Sequence, residues 1–183
     1  MDKILDILHQ SGAILDGHFL LTSGLHSPKY IEKFRALEHP QYVEKIFDAM
    51  AKPFEKDNVD IVVGPAIGGI ILAYGVAKRL GCRYAFLERV KGKLVLRRDF
   101  NIYCSQRVLL VEDVVTKGTS VKEMMEALDH DNFAGLSCMV ERGKLDFGLR
   151  KQESLVKLNF PTYEPKKCPL CKKGVPLTKR GSR

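Results

Sequence analysis

Residues 107–123 read RVLLVEDVVTKGTSVKE. An apolar run, Val108 to Val111, meets two acids, Glu112 and Asp113, then Val114 and Val115, then the turn Thr116-Lys117-Gly118-Thr119-Ser120. A turn of small and hydroxylated residues that opens a helix is an anion site, because its backbone N–H groups and the helix N-terminus point at the same place. Hydroxyls of Thr116, Thr119 and Ser120 add donors. The two acids would repel a phosphate and suit neutral sugar hydroxyls or Mg²⁺ instead. A ribose 5-phosphate offers both halves of that pattern. The same residues also read as an ordinary strand, turn and capped helix with two solvated acids, and from this stretch both readings stand. The spacing is neither that of a P-loop nor that of a dinucleotide fingerprint.

The surrounding chain must place this stretch. Ile4, Ile7 and Leu8 share a helical face over Asp2–Gln10, with Asp2 as a cap and Gly12 as a stop. The segment GHFLLTSGLHSPKYIEKFRAL predicts two short strands around a Ser-Gly turn, with Pro28. Val43, Ile46, Phe47, Met50, Ala51 and Phe54 keep helical spacing behind Pro40. Val59–Gly64 reads as a buried strand that passes through GPAIGG into a helix over Ile70–Leu80, stopped by Gly81. Cys82–Leu87 is a further strand, and Glu88–Arg98 is polar and basic around a Lys91-Gly92 turn. Arg107–Val111 is a strand, and Ser120–Asp129 is a helix with Ser120 and Glu123 at capping-box spacing. Gly135–Val140 and Leu155–Leu158 supply later strands. This alternation predicts an α/β fold with a mostly parallel sheet, whose ligands bind beyond the carboxyl ends of the strands. GPAIGG and EDVVTKGTS both fall at such ends.

The 183 residues, 45% of them hydrophobic, suit one domain with a small appendage. Ile61–Ala77 is uncharged, but it holds a proline and four glycines and is shorter than the ~20 residues of a spanning helix. No apolar secretory segment follows Met1, so a soluble, cytoplasmic protein with no membrane partner is expected. The net charge is +8, of which residues 164–183 carry +6 through seven Lys/Arg and one acid. The body is close to neutral and does not demand a nucleic-acid partner. Five cysteines do not make a disulfide framework. Cys168-Pro169-Leu170-Cys171 is half of a zinc knuckle. The chain has no second such pair and no histidine close to it in sequence, so no metal site is expected unless a dimer joins two pairs.

VLLVEDVVTKGTS resembles the phosphoribosyl pyrophosphate (PRPP) signature of type I phosphoribosyltransferases. GHFLLTSGLHSPKYI, VGPAIGGIILAY, LRRDF and TYEPKKCPLCKKGVPLTKRGSR resemble, in order, stretches of the orotate phosphoribosyltransferase family. The resemblance covers nearly the whole chain. It implies a type I phosphoribosyltransferase fold over residues 1–163, with 1–37 contributing to a hood over the base, and a basic CxxC tail over 164–183.

The roles that follow are implied by that resemblance. Glu112 and Asp113 hold the ribose hydroxyls, and Val114 to Ser120, with Arg89, complete the PRPP site. Ala66, Ile67 and Gly68 form the pyrophosphate loop, with Gly68 where many relatives have a lysine. Glu88–Arg98 is a catalytic flap, with Lys93 and Lys91 as the cations at the leaving group and Asp113 as a further catalytic residue. Arg142 meets the orotate carboxylate as a bidentate fork, and Thr116 touches the base. Ser23, Gly24, Pro28 and Tyr30 match a stretch that covers the base, while Thr22 and Leu25 stand where relatives often have a lysine and an arginine. The implied reaction converts orotate and PRPP to orotidine 5′-monophosphate and pyrophosphate, on the way to UMP, with Mg²⁺ arriving on PRPP and a homodimer as the assembly. The competing classes are transfer to another base and a PRPP-sensing regulator that binds nucleic acid through its tail. His18, His26 and His39 are expected to be surface or hydrogen-bonded side chains without a role in the site.

Overall fold

A computed structural model describes residues 3–143 and 146–180. Six strands form the central sheet: β3 (Ile61–Pro65), β4 (Arg83–Val90), β5 (Lys93–Leu96), β6 (Val108–Val115), β7 (Phe133–Glu141) and β8 (Gln152–Lys157). Their order is β5-β4-β3-β6-β7-β8, parallel except for the antiparallel edge pair β4–β5. Helices α1 (Lys3–Gln10), α3 (Pro40–Ala51), α4 (Gly68–Leu80) and α5 (Thr119–Leu128) flank it, with a short α2 (Phe34–Leu37) leading into α3. The Asp2 cap expected for α1 lies outside the described residues.

The continuous apolar strands are explained by cover on both faces. In β3, Val62 faces the layer of α1, α3 and α4 with Ile46, Met50 and Leu72, while Ile61 and Val63 face the α5 side with Leu87, Val121 and Met124. The central strand β6 alternates likewise, Leu109 and Val111 to the first layer and Val108 and Leu110 to the second. β3 starts later than Val59 because Asp60 is used as a tie: its carboxylate accepts the Arg107 N–H at 2.7 Å.

Two local expectations are corrected. The α5 cap is Gly118, in the left-handed region at φ 73°, with no side-chain cap bond. Ser120 therefore does not close a capping box, and Glu123 turns to Arg89 instead. α4 begins at Gly68, earlier than Ile70, because GPAIGG is split between the end of β3 and the first turn of the helix, leaving Ala66 and Ile67 as the connection.

The hood is β1 (Ile14–Leu20) paired antiparallel with β2 (His26–Ile31). The tail folds onto it. After the single-turn α6 (Pro169–Lys172), β9 (Thr178–Lys179) adds parallel to β1, so the small sheet runs β2-β1-β9. No helix among the described residues is long and apolar enough to cross a membrane.

The crossing of α3 and α4 is set by Gly75, where an added Cβ would stand 2.3 Å from the Phe47 ring. Alanine would gain about 1 kcal/mol of helix propensity. Overpacking costs typically ~1–3 kcal/mol, so Gly75→Ala should lose up to about 2 kcal/mol in urea unfolding. A variant more stable than the wild type would show that α3 and α4 can move apart freely.

Candidate active site

β6 carries Glu112 and Asp113 to the carboxyl edge of the sheet, and both are buried, at 6% and 4% exposure. Two adjacent buried carboxylates are costly unless paired. The Asp113 N–H donates to Glu112 Oε1 at 3.0 Å, and Lys33 Nζ sits 2.7 Å from Asp113 Oδ2. Burial pulls the Lys33 ammonium down, but the charge and hydrogen bond of Asp113 outweigh it, and the net shift is upward. Burial, then the neighbouring Asp113 charge, holds Glu112 well above the ordinary carboxyl value of 4.5.

The loop at the end of β3 closes on this pair, and its glycines are there for space. A Cβ on Gly68 would meet Asp113 Oδ2 at 2.0 Å, one on Gly64 would meet the Gly69 carbonyl oxygen at 2.5 Å, and one on Gly69 would meet Pro65 at 2.5 Å. The position where a Gly68 side chain would begin lies 3.5 Å from Lys33 Cε. The ammonium missing from the loop is thus brought to it by the segment after β2. Sequence reasoning passed over Lys33; the available signal was a lysine just beyond the hood strand.

The turn after β6 runs from Thr116 to Gly118 into α5. Thr116, Lys117 and Thr119 are exposed, Gly118 is buried, and Lys117 makes no ion pair among the described residues. With no side-chain cap on α5, its first N–H groups face the open edge. Arg142, just beyond β7, is anchored by its N–H to the Val115 carbonyl at 2.8 Å. Its guanidinium lies 4.9 Å from the Phe160 ring and has no carboxylate partner among the described residues, and its Nε is buried without a hydrogen bond. Burial lowers its pKa, while nearby Tyr30 acts in the opposite direction. Tyr30 is itself raised by burial, then by Glu32, and it also feels Lys33 and Asp113. Hood, acid pair and Arg142 therefore converge at one edge of the sheet.

Glu88–Arg98 is the β4–β5 hairpin. Lys91 and Gly92 both have positive φ, 48° and 85°, as a type I′ turn requires. Arg89 bonds the Gly92 carbonyl and Glu123 of α5, so it ties the hairpin to the helix. Arg98 and Arg97 pair with Glu88. Lys91 and Lys93 are exposed at the tip and make no ion pair among the described residues.

Away from this edge, a second cluster of side chains joins the tail to the hood. His18 and His26, distant in sequence, meet Cys168 and Cys171 in space, and His18, His26 and Cys168 are buried. Two of the free thiols elsewhere do not resemble nucleophiles: burial pushes Cys82 up to about 11 and Cys138 up to about 12.

The phosphoribosyl transferase domain family matches residues 35–145. Proteins named orotate phosphoribosyltransferase match along the full chain. That of Desulforamulus reducens is 44% identical over 100% of this chain and 97% of its own length. That of Thermotoga maritima is 46% identical over 98% of each. This chain belongs to the orotate phosphoribosyltransferase family. The crystal structure of orotate phosphoribosyltransferase from Aeropyrum pernix, 25% identical, superposes with a TM-score of 0.73 over 85% of this chain and 93% of that one. The stretch that resembles the PRPP signature spans β6, its turn and the start of α5.

Replacing Glu112 by Gln tests the electrostatics. A carboxyl whose folded pKa lies above its unfolded value penalises folding as the pH rises from about 4.5 through the folded value. Glu112→Gln should therefore raise Tm at neutral pH, with the gain vanishing below pH 4.5, while turnover falls. A variant with a lower Tm at neutral pH would show that the ionised carboxylate is favourable where it stands.

Proposed function

We propose that this chain transfers the 5-phosphoribosyl group from PRPP to orotate, giving orotidine 5′-monophosphate and pyrophosphate in UMP biosynthesis. The observation that carries the choice of base is Arg142, a half-buried guanidinium without a carboxylate partner among the described residues, held by its backbone N–H to Val115 at the edge of the sheet. The orotate carboxylate suits that fork; hypoxanthine, adenine and uracil have no carboxylate to offer it. The names of the full-length relatives support the same reading.

The N–H groups of Thr116–Ser120 and the N-terminus of α5 take the 5′-phosphate. Glu112 and Asp113 accept from the ribose hydroxyls, which bring no charge into a crowded acidic corner. The backbone of Ala66, Ile67 and Gly68 lies along the pyrophosphate, with Lys33 supplying the ammonium. As the anomeric bond breaks, the ribosyl carbon gains positive charge and the leaving pyrophosphate gains negative charge, so cations aimed at the latter lower the barrier. Lys93 and Lys91, at the tip of a hairpin and with no ion pair among the described residues to give up, fill that role, and closure of the hairpin excludes water.

Mg²⁺ fits this site as a guest of the substrate. Asp113 is engaged by Lys33 and Glu112 is biased toward its protonated form, so the acids are not a preformed oxygen cage. Carried on PRPP oxygens, it would screen the pyrophosphate charge. A homodimer in the cytoplasm completes the proposal. Tyr74, half exposed on α4, packs edge-on against Tyr84, which with Phe100 and Phe86 forms an aromatic row suited to a subunit interface.

Orotate absorbance, followed with PRPP and Mg²⁺ against hypoxanthine, adenine and uracil as rival acceptors, should fall for orotate alone. Arg142→Ala should raise the orotate KM about 10- to 100-fold, the value of a charged hydrogen-bond pair, with little change for PRPP. Equal use of another base, or an unchanged orotate KM in the variant, would remove Arg142 from the base site. Lys93→Glu should lower kcat far more than it alters the unfolding midpoint; full activity would take the hairpin tip out of the chemistry.

A further inference from the structure

We propose that His18, His26, Cys168 and Cys171 form a closed tetrahedral zinc site that fastens the C-terminal tail to the hood. The ligand atoms, one from each side chain, all lie within 4.8 Å of one another. His18 Nε2 is 2.9 Å from His26 Nδ1, 3.5 Å from Cys168 Sγ and 3.8 Å from Cys171 Sγ, and Cys171 Sγ is 3.3 Å from His26 Nδ1. Zinc bonds of about 2.0–2.1 Å to nitrogen and 2.3 Å to sulfur give tetrahedral edges of roughly 3.3–3.8 Å. Three of the four separations fall within that range, and the His18–His26 distance of 2.9 Å is shorter.

The surroundings are those of a ligand set. His18 Nδ1 lies 2.8 Å from the Val175 carbonyl, which accepts its N–H. That bond fixes the tautomer and turns the Nε2 lone pair toward the other three side chains, as the outer partner of a metal-bound histidine does. Cys168 stands at the start of α6 and Cys171 within it, so the short turn carries both thiols to one side. His26 is held at its backbone by a two-way bridge with Tyr163, its N–H donating to the Tyr163 carbonyl and its carbonyl accepting the Tyr163 N–H, each at 2.8 Å. Two thiolates and two neutral imidazoles cancel the charge of Zn²⁺, which suits a site where three of the four ligands are buried. Soft sulfur and imidazole donors select zinc over Mg²⁺, and four protein ligands leave no open position for catalysis.

The consequence is mechanical. His18 lies in β1 and His26 opens β2, so the metal would lock both hood strands to a tail that already pairs Phe19 with Thr178 and Leu20 with Lys179 and brings Arg180 to 3.6 Å from Glu32. The far end of β2 carries Tyr30 and leads to Lys33, so the lock sits at the opposite end of the strand from the acid pair.

Purified full-length protein should contain one zinc per chain by elemental analysis. Stripped with a chelator and titrated with Co²⁺, it should develop thiolate charge-transfer and tetrahedral d–d absorption, with displacement of both thiol protons. Cys171→Ser and His18→Asn should lose these bands, and Cys104→Ser, at an exposed thiol outside the cluster, should keep them. The stripped wild type should show a lower Tm that Zn²⁺ restores, which keeps the test independent of whether the variants fold. A stripped protein that takes up neither ion, or Co²⁺ bands that survive in Cys171→Ser, would overturn the site. These readouts do not involve orotate or PRPP, so their outcome is separate from that of the proposed reaction.

Discussion

The burial of two neighbouring carboxylates at the end of β6 is the constraint around which this molecule is organised. Glu112 and Asp113 stand in the middle of the sheet, where apolar side chains would be the cheaper choice. Their surroundings are arranged accordingly. Lys33 reaches in to pair with Asp113, the glycine at position 68 leaves the space that Asp113 occupies, and the Arg89 charge bears on Glu112 from the hairpin. A hydrophobic pair at these positions would relieve that cost, but it would remove the hydrogen-bond acceptors from this edge of the sheet.

The same constraint accounts for the site being shared among so many segments. β3 contributes a loop of small residues, β6 the acids and the turn, β7 Arg142, β4–β5 the exposed lysines, and the hood Tyr30 and Lys33. The parallel sheet brings the strand ends to one edge, and short connections keep the loops there. The hood is different. It is a two-stranded ribbon outside the main sheet, a unit that is marginal by itself. The tail supplies a third strand and the cysteine pair facing two hood histidines, and Tyr163 just before it adds a backbone bridge. The tail is thereby part of the support for the hood.

Much of this architecture was legible in the chain. Continuous apolar strands, the helical spacing of Val43 to Phe54 and the glycine stop at Gly81 all correspond to elements found. Where reading failed locally, a tertiary interaction had won. Glu123 sat at capping-box spacing, but the Arg89 guanidinium claims it, and Gly118 takes the cap position through backbone conformation alone. Gly68 looked like a lost lysine, yet the fold places Lys33 against the same spot.

By itself the sequence determined the alternation of elements, the acid pair and its turn, and the family to which they belong, because these rest on local periodicity and on residues close together along the chain. Which distant residues meet was decided only in three dimensions. Lys33 finds Asp113 across 80 positions, and His18 finds Cys168 across 150. No periodicity records such pairs, since they exist only once β2 has been laid over the edge of the sheet and the tail has returned to β1. The cysteine pair looked incomplete in the chain for the same reason: its partners come from the hood, and folding alone brings them together.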